Sequence, residues 1–133
     1  MRRNRNYLAD KLLLYSAAAS TFIAGLLHLA LVPMFFKEMP LNVMIFFIVS
    51  GLAQMFWVIP IIKKWIFPWY YIGIGGTIVL IILWVVVIPG SGYPIHGTDM
   101  AIEVAQIAFI ILALIIIKRN PSEAKSTKLD IDL

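Results

Sequence analysis

Four long apolar stretches, separated by short polar segments, make up most of the chain. They predict helices over residues 12–36, 41–62, 65–89 and 99–117. A helix needs about 20 apolar residues to cross a hydrocarbon core that is ~30 Å thick, and each stretch is close to or above that length. The stretches lack the alternation of apolar and polar residues that barrel strands require, so the pattern predicts transmembrane helices.

The connections between the predicted helices are short, and the shortest consists of Lys63 and Lys64. Short connections force successive helices to run in opposite directions. The predicted fold class is therefore an all-α membrane protein, an antiparallel bundle of four transmembrane helices that forms one domain over residues 1–119. The polar segment 120–133 is expected to be a mobile tail.

The composition excludes several classes of protein. Hydrophobic residues make up 62% of the chain and charged residues 14%, against about 45–50% and about 25% in an average soluble domain. A soluble domain could not bury so much apolar surface, and a disordered chain has the opposite composition. The chain contains no cysteine, which excludes disulfides, thiolate catalysis and cysteine-ligated metal clusters.

The positions of the basic residues predict how the chain is oriented. The formal net charge is +4, and all 11 lysines and arginines except Lys37 lie before the first helix, between the second and third, or after the fourth. Because basic residues flank the cytoplasmic ends of membrane helices, both termini are expected in the cytoplasm and the protein in the cytoplasmic membrane. This charge is suited to anionic lipid headgroups, so the expected partner is the lipid bilayer, with no nucleic acid.

Small residues at helical spacing predict where the helices pack, because close backbone approach drives helix association in lipid. Such residues share one face of the first helix, occur as a pair in the third, and form a stripe in the fourth. The predicted packing positions are Ala17, Thr21, Gly25, Gly73, Thr77, Ala101, Ala105 and Ala108.

Polar side chains inside the predicted helices are few, and such residues often carry the function of a membrane protein. The predicted polar site consists of His28, Gln54, Glu103 and Gln106. Asp99, Glu103 and Gln106 are spaced so that they share one face of the fourth helix, opposite its alanines. On a structural interpretation, Asp99 is an N-cap, the glutamines form hydrogen bonds between helices, and Glu103 is protonated or pairs with His28.

A metal site is an alternative hypothesis for this region. Imidazole and carboxylate groups would suit zinc or copper(II), and the candidate ligands are His28, His96, Asp99 and Glu103. The spacing H-x-x-D-x-x-x-E is not a known ligand signature. No cofactor follows from the sequence, and no set of residues forms a catalytic nucleophile with its base.

The stretch from His28 to Glu103 resembles a family of small four-helix membrane proteins of bacteria and archaea that are described only as uncharacterised. The shared residues are His28-Leu29, Pro33, Phe36, Glu38, Phe46-Phe47, Gly51, Gln54, Trp57, and a Gly- and Pro-rich loop, 89–97, before Asp99 and Glu103. The resemblance implies a four-helix fold and a common polar centre that includes Gln54. It implies no substrate, cofactor or catalytic residue.

These observations favour a small non-enzymatic membrane protein that associates with a partner, with a larger membrane complex or with copies of itself. The second hypothesis is a protein that binds or senses a cation, either a metal ion or a proton, at an outward-facing buried site around His28 and Glu103. The third is transport of a small solute by an oligomer, for which four short helices leave little room.

Overall fold

The chain folds into four helices in a computed structural model that describes residues 2–63 and 68–119. They are α1 (Arg2–Phe35), α2 (Leu41–Ile62), α3 (Pro68–Val87) and α4 (Gly97–Arg119). Each of them is long and apolar enough to cross a membrane. The predicted all-α class is therefore confirmed, and each predicted span corresponds to a helix whose length and composition suit a membrane.

Several helix ends depart from the sequence prediction. α1 begins at Arg2 rather than at residue 12, because arginine, leucine, alanine and lysine in this segment have good helix propensity and extend the helix beyond its long apolar part. α3 ends at Val87, shortly before Pro89, and α4 begins at Gly97. The predicted mobile tail, 120–133, lies outside the described residues.

The packing of the four helices is uneven. α1 packs extensively against both α2 and α4, whereas α3 makes far fewer contacts with α2 and α4. α1 is therefore the central helix of the bundle, and much of the surface of α3 is left open.

α1 and α2 come closest together at two glycines. A Cβ atom added to Gly25 or to Gly51 would lie 2.9 Å from the carbonyl oxygen of the other glycine. One turn away, the hydroxyl of Thr21 donates a hydrogen bond of 3.2 Å to the carbonyl oxygen of Gln54. The structure thus places Thr21 and Gly25, both predicted packing positions, where the two backbones meet.

α2 and α3 meet at a second glycine contact. A side chain at Gly73 would collide with the indole of Trp57, and that indole also packs against Trp69, with 5.6 Å between ring centroids. Thr77 donates its hydroxyl hydrogen to the carbonyl oxygen of Gly73 at 2.7 Å. Gly73 therefore provides the space in which Trp57 of α2 packs against α3.

The alanines predicted to pack in α4 do not form its buried face. Ala101 is exposed, and Ala105 and Ala108 are only half-buried. The buried residues lie on the other side of the helix and are Asp99, Ile102, Glu103, Gln106, Phe109, Ala113 and Ile116. The prediction that α4 packs through its alanines is therefore wrong for the contacts within the bundle. The polar residues and the large apolar residues of α4 together form its buried face.

Two apolar clusters occupy the two ends of the bundle. The termini-end cluster contains Ala17, Ala18, Ile61, Tyr70, Ile74, Phe109, Ala113 and Ile116. The loop-end cluster contains Leu31, Met39, Val43, Phe47, Ile88, Tyr93 and Ile102. Because Met39 follows α1 and Tyr93 precedes α4, the loop-end cluster also joins the α1–α2 connection to the α3–α4 connection.

Substitution of Gly51 by alanine should destabilise the bundle, because the added methyl carbon would meet Leu29 Cγ at 2.7 Å and the Gly25 carbonyl oxygen at 2.9 Å. We expect a loss of about 1–3 kcal/mol, measured by unfolding in detergent. The matched control is Gly75→Ala, where the methyl group meets nothing within 4 Å. The control should be neutral or stabilising by up to ~1 kcal/mol, and an equal loss in both variants would contradict the close approach.

Candidate functional site

The buried residues between the two apolar clusters are polar or small, and every helix contributes at least one polar side chain. This polar layer consists of Thr21, His28, Ser50, Gln54, Thr77, Glu103 and Gln106. The neighbouring buried residues Ala24, Gly25 and Gly51 are small. All four residues of the predicted polar site, His28, Gln54, Glu103 and Gln106, thus lie in this polar layer.

His28 is held in place on several sides. It is 1% exposed, and its Nδ1 lies 2.9 Å from the carbonyl oxygen of Ala24. A carbonyl oxygen only accepts hydrogen bonds, so Nδ1 carries the hydrogen. The side chain of Gln54 approaches the same imidazole. Phe46 and Phe47 contact it edge to face, with ring centroids at 6.3 and 5.7 Å.

The predicted pair of His28 and Glu103 does not form an ion pair in the part of the chain that the structure describes. The imidazole bonds to its own helix and faces α2 instead. Glu103 lies on the buried face of α4 and is 8% exposed. It stands between Asp99, one turn earlier, and Gln106, one turn later.

Three oxygen atoms of the polar layer have no hydrogen-bond partner within the described residues. They are Ser50 Oγ, Gln54 Oε1 and Gln106 Oε1, and their residues are 1%, 4% and 1% exposed. An unsatisfied buried polar group costs about 1–3 kcal/mol. Buried polar atoms of this kind are normally satisfied by water, an ion or a ligand, which makes the polar layer the candidate functional site.

Asp99 has a structural role at the start of α4. Its Oδ2 accepts a hydrogen bond of 2.7 Å from the backbone N–H of His96. Because Asp99 is the third residue of the helix, it reaches back to the residue before the helix, as the acidic residue of a capping box does. The prediction that Asp99 is the N-cap is therefore wrong, because His96 precedes the helix and Asp99 is its third residue. Its other oxygen, Oδ1, is buried and has no described partner.

His96 joins the two connections at the loop end. Its ring stacks on Phe35 with 3.7 Å between centroids, and its Nδ1 lies 3.1 Å from Tyr93 Oη. Nδ1 is also 3.6 Å from Asp99 Oδ2, and Nε2 is 3.8 Å from Glu38 Oε2. These contacts hold the end of α1 and the α1–α2 connection against the start of α4.

The predicted metal ligands are not brought together. Among the described residues, no group of three or more His, Cys, Asp or Glu side chains could hold a metal ion. His28 is separated from His96 by two rings in series, since Phe47 contacts both His28 and Tyr93, and Tyr93 contacts His96. His96 and Asp99 lie close together but serve the start of α4.

Ser50 and Gly51 were not among the predicted site and packing residues. Ser50 lies one turn before Gln54 on the same face of α2, and this spacing is the signal that could have identified it. Gly51 could not be recognised in the same way, because a glycine in a transmembrane helix shows neither which helix it faces nor how closely.

Comparison with known proteins does not identify a relative. The chain has no significant match among protein-family models, curated proteins or solved structures. The resemblance to a family of small four-helix membrane proteins stays a prediction.

Tyr93, in the α3–α4 connection, should ionise only in strongly alkaline solution. Burial, and then the charges of Asp99 and Glu38, raise the pKa of Tyr93 from 10.0 to about 12. The unfolded chain releases this proton first, so the stability associated with the neutral phenol is present below pH 10 and is lost as the pH rises to about 12.

The variant Tyr93→Phe keeps the ring but has no ionisable hydroxyl, so its stability should fall less steeply over the same pH range. Thermal unfolding of both proteins in detergent, measured at several pH values, tests this. Parallel loss of stability in the two proteins would contradict the raised pKa of Tyr93.

Proposed function

We propose that the chain is a small non-enzymatic protein of the cytoplasmic membrane that binds a helix of a partner membrane protein through α3. The observation that carries the proposal is a pair of adjacent glycines in α3, Gly75 and Gly76, that no contact among the described residues requires. A Cβ atom at either position would meet no atom of these residues within 4 Å. By contrast, Gly25, Gly51 and Gly73 each make room for a neighbouring helix.

Glycines without an internal role are unfavourable in a helix. Glycine costs about 0.8–1.0 kcal/mol relative to alanine in a helix interior. Contact with lipid is enough to explain exposed apolar side chains on a membrane helix, but it does not explain exposed glycines. Small residues on a membrane helix allow another helix to approach closely, which is how such helices associate. Gly75 and Gly76 are therefore the expected centre of an intermolecular contact.

The face around Gly76 is continuous along α3. Residues at helical spacing on both sides of it are exposed and apolar, and they are Ile72, Val79, Leu83 and Val86. Because α3 also makes the fewest contacts within the bundle, a partner helix could pack along it without displacing another part of the chain.

We further propose that successive helices run in opposite directions. Between α1 and α2, a residue later in α1 contacts a residue earlier in α2: Thr21 bonds to Gln54, and His28 packs against Phe47. Along α1 and α4, the carboxylate of Asp10 bonds to Arg119 at 2.9 Å, whereas residues late in α1 and early in α4 share the loop-end cluster. Both trends are typical of antiparallel neighbours.

The orientation proposed for this arrangement has both termini in the cytoplasm. Lys11, Lys118 and Arg119 lie towards the end of the bundle that holds the Asp10–Arg119 ion pair. Lys37 lies in the α1–α2 connection beside Glu38, at the loop end. The excess of basic residues at the end with the Asp10–Arg119 ion pair supports a cytoplasmic location for that end.

Orientation can be tested by cysteine labelling, because the natural chain has no cysteine and hence no background. The matched single variants are Lys37→Cys and Lys63→Cys, both at exposed positions. A membrane-impermeant maleimide added to intact cells should label the first variant only, and the second after permeabilisation. The reverse result would overturn the orientation, and labelling of both variants in intact cells would contradict the alternating arrangement.

Association can be tested by cross-linking in native membranes. With a photo-reactive side chain at Ile72, we expect an adduct with a different protein, reduced at least about fivefold by Gly76→Leu because the larger side chain keeps a partner helix away. The matched control is Ala101→Leu at an exposed position of α4, which should leave the adduct unchanged.

Two results of this experiment would contradict the proposal. An adduct of about twice the 15.0 kDa mass of the chain would identify a second copy as the neighbour of α3. An adduct that is equally abundant in Gly76→Leu would show that the contact does not depend on the glycines.

A further inference from the structure

We propose that the polar layer contains a binding site for a monovalent cation, with sodium as the natural probe. The ligands are the side-chain oxygens of Glu103 and Gln106 on α4 and of Ser50 and Gln54 on α2. The site is independent of the association proposed for α3, because none of these residues lies on that helix.

The unsatisfied atoms of the polar layer are of one chemical kind. Ser50 Oγ, Gln54 Oε1 and Gln106 Oε1 are all oxygens that are buried and unpartnered within the described residues. A set of carboxylate, amide and hydroxyl oxygens suits hard cations, whereas zinc and copper(II) sites in proteins usually include imidazole ligands. The donor set therefore differs from the metal site that the sequence predicted.

The four proposed ligands lie in pairs on the buried faces of two helices. Ser50 and Gln54 lie one turn apart on the buried face of α2, and Glu103 and Gln106 lie one turn apart on the buried face of α4. On both helices the pair falls between members of the same two apolar clusters, Phe47 and Ile61 on α2 and Ile102 and Phe109 on α4. The two pairs thus occupy corresponding segments of their helices, and both α2 and α4 pack against α1.

The charge of the polar layer favours a monovalent cation. Glu103 is the only acidic residue of the polar layer, and Asp99, one turn earlier, is engaged by the backbone N–H and the imidazole of His96 at the start of α4. The described residues between the two clusters include no lysine or arginine. An ionised carboxylate surrounded by apolar material requires a counter-charge. One monovalent cation leaves the site neutral, whereas a divalent cation would leave an uncompensated positive charge, which is costly to bury.

His28 is not assigned as a ligand of this cation. Its Nδ1–H is used by the carbonyl oxygen of Ala24, and the ring faces the side chain of Gln54. We assign it instead as a positioning residue that holds the amide of Gln54 in the layer. This explains why a histidine lies among oxygen ligands without itself approaching the acidic residue.

The direct test is the stability of the purified full chain in detergent. Thermal unfolding is followed while NaCl replaces choline chloride at constant ionic strength, so that general screening does not change. A ligand that binds only the folded state raises its stability in a saturable way. We expect the midpoint Tm to rise by about 5 °C and then reach a plateau.

The matched variants are Glu103→Gln and Glu38→Gln, which make the same chemical change inside the layer and at an exposed position of the α1–α2 connection. The sodium-dependent rise in Tm should disappear in the first and persist in the second. Gln106→Leu removes one neutral oxygen and should shift the half-maximal sodium concentration upward about tenfold. Gln106→Leu also keeps the proposal testable if Glu103→Gln does not fold.

Three results would overturn the proposal. The Tm of the natural chain could be the same in choline, lithium, sodium and potassium, which would mean that Glu103 holds a proton and the layer holds water. Calcium or magnesium could produce the rise in Tm when sodium does not, which would contradict a monovalent site. Equal responses of Glu103→Gln and the natural chain would place the cation elsewhere.

Discussion

The close approach of α1 and α2 at Gly25 and Gly51 positions the polar contacts between these two helices, which have the most extensive interface of the bundle. Because neither glycine has a side chain, the two backbones lie close enough for Thr21 to bond to the carbonyl oxygen of Gln54. The same approach brings His28 beside Gln54 and against two phenylalanine rings. In lipid, where water does not drive helices together, such steric fit has to supply the association.

The glycines of this chain serve two different purposes. Gly25, Gly51 and Gly73 accommodate neighbouring atoms of the same chain, whereas Gly75 and Gly76 border open space. The difference lies in the packing around them and not in the residues themselves. A small membrane protein with one loosely held helix has the means to form a stable bundle and still offer a surface to another helix.

The polar side chains are divided between two tasks. At the loop end, Asp99 and His96 hold the start of α4 and join the two connections, with Phe35 stacked on the imidazole. Between the apolar clusters, the remaining polar groups form a layer with unsatisfied oxygens. Unpaired polar atoms are costly in an apolar interior, so a bundle that retains several of them at one level is consistent with a bound polar partner.

The sequence by itself determined the number of helices and most of their extent, because hydropathy and span length are local properties of the chain. α2 was predicted with its observed bounds. The tertiary structure alone decided which face of α4 is buried. Residue spacing made both the alanine face and the polar face plausible contacts, and in the bundle, where α4 packs chiefly against α1, the polar face is the buried one. It also decided that His28 bonds within α1 and faces Gln54, because residue spacing does not define the rotation of one helix against another.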